Sequence, residues 1–255
     1  ALFFTSSISS LDVGQIFSSF VSDRVQKSPA EINFFFSHIF KLDKEILMKV
    51  FLLPDENGFP SFFRFFLDFH EQIVAKFIEN NFTKEDKSTI LLHQNECGEN
   101  LLHFVVKEIE YGQLDDTFEI LKNNFDASDL SSMIFGKNNE GRNFLQCSLL
   151  QNEDKNFSKV LQFVVDILDD LKLNDFIEDV DNDGKNVLHL MIENLSMENI
   201  KNLILNQPNF KEMFLKVDET ESLVHHAIRN ENLEFFEFGL ENSVNVVKTL
   251  TKKNK

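Results

Sequence analysis

Hydrophobic residues recur along the chain in short clusters with helical spacing, and polar turns separate the clusters. Val187, Leu188 and Met191 share one side of a helix, and Ile200 and Leu203 share one side of the next. Residues three or four apart lie on the same face of an α-helix, whereas a strand alternates at every second residue. The pattern therefore predicts an all-α chain built from pairs of short amphipathic helices.

A polar turn followed by asparagine and an apolar pair occurs three times at equal intervals. The segments 95–103, 138–146 and 181–189 read NECGENLLH, NNEGRNFLQ and DNDGKNVLH. The turn glycines Gly98, Gly141 and Gly184 are 43 residues apart. Such a fixed period is typical of repeat proteins, in which each repeat packs on its neighbours.

Weaker copies extend the array in both directions. One is the turn at 55–60, and another is the segment 219–227, in which Thr220 replaces the turn glycine. A more degenerate copy begins at Ser28. We therefore predict a repeat array over 28–240.

The two ends of the chain have a different character. An amphipathic pattern at 12–25 predicts a helix that covers the first repeat, and 1–27 is assigned as an N-terminal capping helix. The segment 241–255 is predicted to be a polar C-terminal tail. No linker rich in proline, glycine or serine interrupts the chain, so one elongated domain is expected.

The repeated motif resembles the ankyrin-repeat family, whose consensus is Asp-x-x-Gly-x-Thr-Pro-Leu-His-x-Ala. Asn100, Asn143 and Asn186 hold the threonine position, where an amide can also cap a helix. In this family the glycine permits a positive φ, and the histidine can bond between neighbouring loops. The resemblance implies an ankyrin-like α-solenoid of about five or six stacked helix pairs, with turn or hairpin fingers along one edge.

The chain also departs from the ankyrin pattern. The family period is about 33 residues, and the proline of the consensus is nearly absent here. An apolar cluster precedes each turn, as at 90–92 and 133–135. We expect part of the surplus residues to form either an extra buried turn of helix or a strand-like entry to each finger.

The charge of the chain argues against several classes of partner. There are 42 acidic and 25 basic residues, which gives a formal net charge of −17. Proteins that bind nucleic acids need clustered Lys and Arg to displace counterions, so neither DNA, RNA nor an anionic membrane surface is an expected partner. A protein with a basic patch is favoured instead.

The cysteine content and hydropathy indicate an intracellular protein, cytoplasmic or nuclear. Cys97 and Cys147 are too few for a disulfide framework and fit a reducing compartment. No apolar run approaches the roughly 18 residues of a membrane span, and the N-terminal residues lack the basic region of a signal peptide.

Calcium is the sharpest alternative suggested by a motif. The segment 179–184 matches the first six positions of an EF-hand loop, with Asp181 among the oxygen ligands. However, Leu190 stands where a bidentate glutamate must complete the coordination. We therefore interpret 181–184 as an ordinary finger turn.

The other candidate chemistry is also explained by structure. His93, Cys97 and His103 do not have the spacing of a zinc site, and His103 falls on the repeated histidine position. The pair His225 and His226 has no nucleophile in a recognisable motif nearby. We expect no catalytic residue, no metal and no cofactor.

Two aromatic clusters could serve either as an exposed docking patch or as buried helix faces. They occupy 34–36 and 62–66. Phenylalanine is abundant throughout the chain, with 30 copies, so burial between stacked helix pairs is the expected role.

The ankyrin resemblance implies a non-catalytic module that holds another protein on the concave face and finger tips. Tip residues beside the glycine position are polar and differ between copies, which is expected of a binding surface. The residues predicted to contact the partner are Glu96, Glu99, Arg142, Asn182, Lys185, Glu219 and Glu221.

The alternative is a scaffold or regulatory segment of a larger multidomain protein, such as a channel or signalling factor. The absence of an initiator methionine leads us to expect that the chain is a piece of a longer protein, which keeps this alternative open.

Overall fold

The part of the chain that the structure describes is built from helices. The computed structural model describes residues 43–55, 58–68, 71–108, 114–151, 154–206 and 223–242. These ranges contain fourteen helices and no strand, apart from an isolated bridge between Pro54 and Pro60. The all-α class predicted from the helical spacing is therefore confirmed.

The chain divides into two compact units, Ala1–Asn139 and Glu140–Lys255. The helices of the first unit are α1 (Lys44–Leu52), α2 (Ser61–Asp68), α3 (Glu71–Asn81), α4 (Lys84–Leu91), α5 (Leu101–Glu108), α6 (Leu114–Asn124) and α7 (Ala127–Ile134). The helices of the second unit are α8 (Phe144–Leu150), α9 (Asp154–Ile167), α10 (Asp170–Glu178), α11 (Val187–Asn194), α12 (Met197–Asn206), α13 (Leu223–Arg229) and α14 (Leu233–Asn242). The predicted pairs are α2 with α3, α5 with α6, α8 with α9, α11 with α12, and α13 with α14.

A third helix follows three of these pairs and accounts for the long period. The helices α4, α7 and α10 are eight or nine residues long and end shortly before a finger turn. They contain the apolar clusters that precede the turns, and Ile90, Met133 and Phe176 are buried. Of the two predictions for the residues that lengthen the repeat, the helical one is therefore correct. These residues form a whole helix rather than one extra turn.

Helices that hold the same place in successive repeats pack on one another. In the first unit α2 packs on α5, α3 on α6, and both α1 and α7 on α4. In the second unit α8 packs on α11, and α11 packs on α13. Each repeat thus buries the apolar face of the previous one, as expected for a repeat architecture.

Phenylalanine rings fill the core of the first unit. Phe62, Phe63, Phe65 and Phe66 are buried on α2, which confirms the expectation for the cluster at 62–66. Phe51 and Phe77 meet edge to face at 5.2 Å, a geometry that aromatic rings favour. The cluster at 34–36 lies outside the described residues.

The predicted ends of the chain are largely outside the described ranges. The capping helix proposed for 1–27 is not among them, and of the tail proposed for 241–255 only the last two residues of α14 are. Within the described ranges, no helix has both the length and the hydropathy required to cross a bilayer.

One residue other than glycine adopts a left-handed backbone conformation in the described ranges. Glu231 has φ of 57° and lies in the turn between α13 and α14. A side chain in this region of the backbone map is strained, and glycine is the usual residue where a helix ends this way.

We therefore predict that Glu231→Gly increases the free energy of unfolding by about 0.5–1 kcal/mol, because it relieves the strain. Urea denaturation measures this change. The control is Glu119→Gly on α6, an exposed position with ordinary helical surroundings, which should lose about 1 kcal/mol. Destabilisation by both variants would contradict the prediction.

Candidate functional site

The fingers are tight turns closed by the side chain of their first residue. In the finger at 95–100, Asn95 Oδ1 accepts hydrogen bonds from the backbone N–H of Cys97 at 3.0 Å and of Glu99 at 2.9 Å. In the finger at 181–186, Asp181 Oδ1 accepts from Asp183 at 3.0 Å and from Lys185 at 2.9 Å. Aspartate and asparagine therefore build the same turn, which is their usual role in loops.

The turn glycines are required by backbone conformation and by crowding. Gly98 and Gly141 have φ of 75° and 74°. A Cβ on Gly98 would lie 2.8 Å from Asn139 Oδ1, and one on Gly141 would lie 2.9 Å from the backbone nitrogen of Asn182. Glycine is therefore needed both for the positive φ and for the close approach of the next finger.

Backbone hydrogen bonds join neighbouring fingers within each unit. In the first unit, Asn139 N–H donates to the carbonyl of Cys97 at 2.8 Å, and Asn139 Nδ2 donates to that of Glu96 at 2.8 Å. In the second unit, Asn182 N–H donates to the carbonyl of Glu140 at 3.0 Å. The same contact thus recurs one repeat later and sets the spacing of the finger tips.

The asparagine after each turn caps the first helix of its repeat, as the sequence predicted. Asn143 and Gln146 form a reciprocal capping box at 2.9 Å in each direction, and Asn186 accepts from His189 N–H at 3.0 Å. Gln146 also donates from Nε2 to the carbonyl of Lys185 at 2.9 Å. Here the contact between neighbouring loops that the ankyrin resemblance assigns to histidine is made by a glutamine.

An ion pair links the base of a finger to the end of the following helix, with opposite polarity in two repeats. In the first unit Glu99 pairs with Lys107. In the second unit Lys185 pairs with Glu193 at 2.8 Å. Glu99 and Lys185 hold the same repeat position, and so do Lys107 and Glu193. The ion pair is therefore kept in both repeats although the charges are exchanged.

Arg142 contacts three carboxylates at the fingers of the second unit. Its Nε lies 3.2 Å from Asp181 Oδ2, its Nη1 lies 2.6 Å from Glu140 Oε2, and its Nη2 lies 3.3 Å from Asp183 Oδ2. Partial burial acts to lower the pKa of Arg142, but the hydrogen bond to Asp181 and the charges of Glu140 and Asp181 outweigh this effect and raise it. The guanidinium therefore fixes one finger against the next.

Where the first residue of a finger is an aspartate, an arginine side chain lies beside its carboxylate. Asp181 has a fully buried side chain and is paired with Arg142. Asp55 is buried in the same way and lies 3.7 Å from Arg64, which also bonds Glu108 at 3.0 Å. A buried carboxylate needs such compensation. The neutral Asn95 instead bonds Glu99 through Nδ2 at 3.3 Å.

The predicted contact residues fall into three groups. Glu96 and Asn182 are exposed at finger tips. Glu99 is buried, and Glu99, Arg142 and Lys185 all take part in the ion pairs that hold the fingers. Glu219 and Glu221 lie outside the described residues. Two exposed carboxylates, Glu140 and Asp183, were not selected from the sequence, although they occupy the same tip position as Cys97.

Three of the residues considered for metal or catalytic chemistry, Asp181, His103 and His226, have structural contacts. Both carboxylate oxygens of Asp181 are engaged, one by the turn N–H groups and one by Arg142. His103 is buried against Asn100, with Nδ1 2.8 Å from Oδ1. The ring of His226 packs edge-on against the ring of His189, and His226 Nε2 lies 3.1 Å from Glu193 Oε1. The described ranges contain no group of three or more potential ligands that could hold a metal.

Comparison with known structures finds a similarity at low sequence identity. The chain is similar to the ankyrin repeat domain of Bcl-3, described as a unique member of the IkappaB protein family, with 15% identity, a TM-score of 0.48 and coverage of 69% of each chain. No protein-family model and no curated protein sequence matches. The description of the chain as a helical repeat protein rests on its own positive-φ turns, asparagine caps and repeated helix packing.

We predict that Arg142→Ala lowers the free energy of unfolding by about 2 kcal/mol, because it leaves the Asp181 carboxylate buried without its cation. Adding Asp181→Asn should recover at least about 1 kcal/mol of this loss, since an asparagine builds the same turn at Asn95. Urea denaturation of the wild type, both single variants and the double variant gives the coupling. If the losses in unfolding free energy caused by Arg142→Ala and Asp181→Asn simply add in the double variant, the pairing of Arg142 with Asp181 is wrong.

A second prediction concerns calcium at the finger 181–184. Because Arg142 and the turn N–H groups already occupy the Asp181 carboxylate, titration calorimetry at physiological salt should show no stoichiometric site tighter than about millimolar. A micromolar site that Asp181→Ala abolishes would contradict this assignment of the turn.

Proposed function

We propose that the chain is a non-catalytic protein-binding module whose finger tips contact a partner that carries a basic patch. The observation that supports this most directly is the separation of roles within each finger. The first residue, the glycine and the capping asparagine hold the turn and the next helix. The residues just before the glycine project exposed polar side chains, as at Glu96 and Asp183.

The exposed tips are acidic. In the second unit, Arg142 faces the three carboxylates of Glu140, Asp181 and Asp183, which leaves an excess of negative charge. The side chains of Glu140 and Asp183 are 64% and 66% exposed. A cationic partner therefore gains attraction without a large desolvation cost, and salt should weaken that attraction.

The contact set that we propose follows from this division. Glu96 and Asn182 remain in it, and Glu140 and Asp183 are added. Glu99, Arg142 and Lys185 position the fingers through their ion pairs. Glu219 and Glu221 remain predicted contacts from the sequence.

The free cysteines Cys97 and Cys147 support a reducing, intracellular location for this binding.

We predict that Glu96→Lys combined with Asp183→Lys removes partner binding and changes the melting temperature little. Both side chains are exposed, and the ion pair of Asp183 with Arg142 lies at the surface, where such pairs contribute at most about 1 kcal/mol. The matched control is Glu119→Lys combined with Glu198→Lys, which makes the same change in net charge at exposed positions on α6 and α12. Each immobilised protein captures partners from a lysate, and quantitative mass spectrometry compares the retained proteins.

The expected result is a set of proteins that the wild type and the control retain, that the tip variant loses, and that added salt elutes. By contrast, Leu102→Ala should lose about 2–5 kcal/mol of stability, because Leu102 is fully buried. If the tip variant keeps the captured set and the control loses it, the working face lies on the second helices and the proposal is wrong.

A further inference from the structure

Each unit has a row of exposed side chains on the segment that leads from a third helix into a finger. We call this row the entry stripe. The residues between its members are half-buried or buried, so exposed and covered residues alternate, as on one side of an extended chain. The entry stripe is Leu92, Gln94 and Glu96 in the first unit, and Glu178, Val180 and Asn182 in the second.

The two entry stripes contain the same chemical classes in a different order. Each has one large apolar residue, one carboxylate and one side-chain amide. Leu92 is 44% exposed and Val180 is 46% exposed. The ranges 71–108 and 154–206 are described without a gap, so the chain before and after each stripe is seen to leave its apolar residue at the surface.

Hydrogen bonds hold both entry stripes in place against the neighbouring repeat of the same unit. In the first unit, Gln94 donates from Nε2 to the carbonyl of Lys137 at 3.3 Å. In the second unit, Asn182 N–H donates to the carbonyl of Glu140 at 3.0 Å. The apolar residue and the carboxylate are therefore presented at a fixed spacing, which reduces the entropy lost when a partner binds.

The mixture of charge and apolar surface restricts the chemistry of a partner. Glu96 and Glu178 are the charged members of the stripes, and both are acidic. A purely basic partner would leave Leu92 and Val180 in water, and a purely apolar partner would desolvate the carboxylates without compensation. A segment that carries both basic and apolar side chains complements the whole stripe.

We propose that each entry stripe binds a segment of the partner in which large apolar side chains lie among lysines or arginines. Leu92 and Val180 supply the apolar contacts. The inference rests on the finger-tip proposal and narrows the partner from a basic patch to a basic segment with apolar side chains. Salt screens the charged contacts but not the burial of apolar surface, so the apolar contribution persists when salt is added.

The test uses two short fluorescent peptides of equal charge. One alternates lysine and leucine, and in the other serine replaces every leucine. Fluorescence anisotropy measures the Kd of each peptide for the full chain. The wild type should bind the lysine–leucine peptide at least about fivefold more tightly than the lysine–serine peptide. Equal binding of the two peptides overturns the proposal.

Substitution of the stripes separates them from other exposed apolar residues. Leu92→Ser combined with Val180→Ser should abolish the preference for the lysine–leucine peptide. The matched control is Leu150→Ser combined with Leu171→Ser, two apolar side chains that are 38% and 72% exposed on α8 and α10, and it should keep the preference. A preference that survives in the stripe variant, or that the control loses, shows that the leucines bind elsewhere and overturns the proposal.

Two further variants distinguish binding from local structure and from the finger-tip proposal. Leu92→Met combined with Val180→Ile keeps the apolar surface and should keep the preference, and its loss there contradicts an apolar contact. The tip variant Glu96→Lys with Asp183→Lys should weaken both peptides by a similar factor and keep the preference. If it binds both as tightly as the wild type, the finger-tip proposal fails, and a preference that remains still supports the apolar contact.

Discussion

The backbone contact between neighbouring fingers is the constraint on which the rest of each unit depends. Asn139 N–H bonds the carbonyl of Cys97, and Asn182 N–H bonds that of Glu140. These bonds bring one finger so close to the next that no side chain fits at Gly98 or Gly141. The helices attached to each finger must then stack at a matching distance, so the turn fixes the register of the repeats as well as its own conformation.

Charge balance around the fingers allows the side chains to vary while the turn is kept. Asp181 requires Arg142, whereas the equivalent Asn95 carries no charge to compensate. The pairs of Glu99 with Lys107 and of Lys185 with Glu193 exchange their charges and keep their positions. Such substitutions are tolerated because a buried charge is costly only when its partner is missing. Variation at these positions therefore reports pairing rather than partner recognition.

The same logic of repeated positions separates stacking surfaces from binding surfaces. A position that is buried in every described repeat, such as Leu102, serves the core. A position that is polar and exposed in both units, such as the one held by Glu96 and by Asn182, can contact another molecule. Ile228 and Leu233 belong to neither class, because they hold core positions and are exposed.

The sequence by itself determined the all-α class, the finger turns, the asparagine caps and the buried leucines, because each depends on local conformation or on helical spacing. It also carried a signal for the third helix, whose conformation the spacing alone left open: Thr83, Asp126 and Asp169, residue types that often begin helices, each precede one such helix. Only the tertiary structure decided which polar finger residues are held in ion pairs and which are exposed. Long side chains such as Arg142 contact groups about 40 residues away in the chain, and the pattern of one repeat does not reveal whether its neighbour supplies a charge, a carbonyl or open solvent.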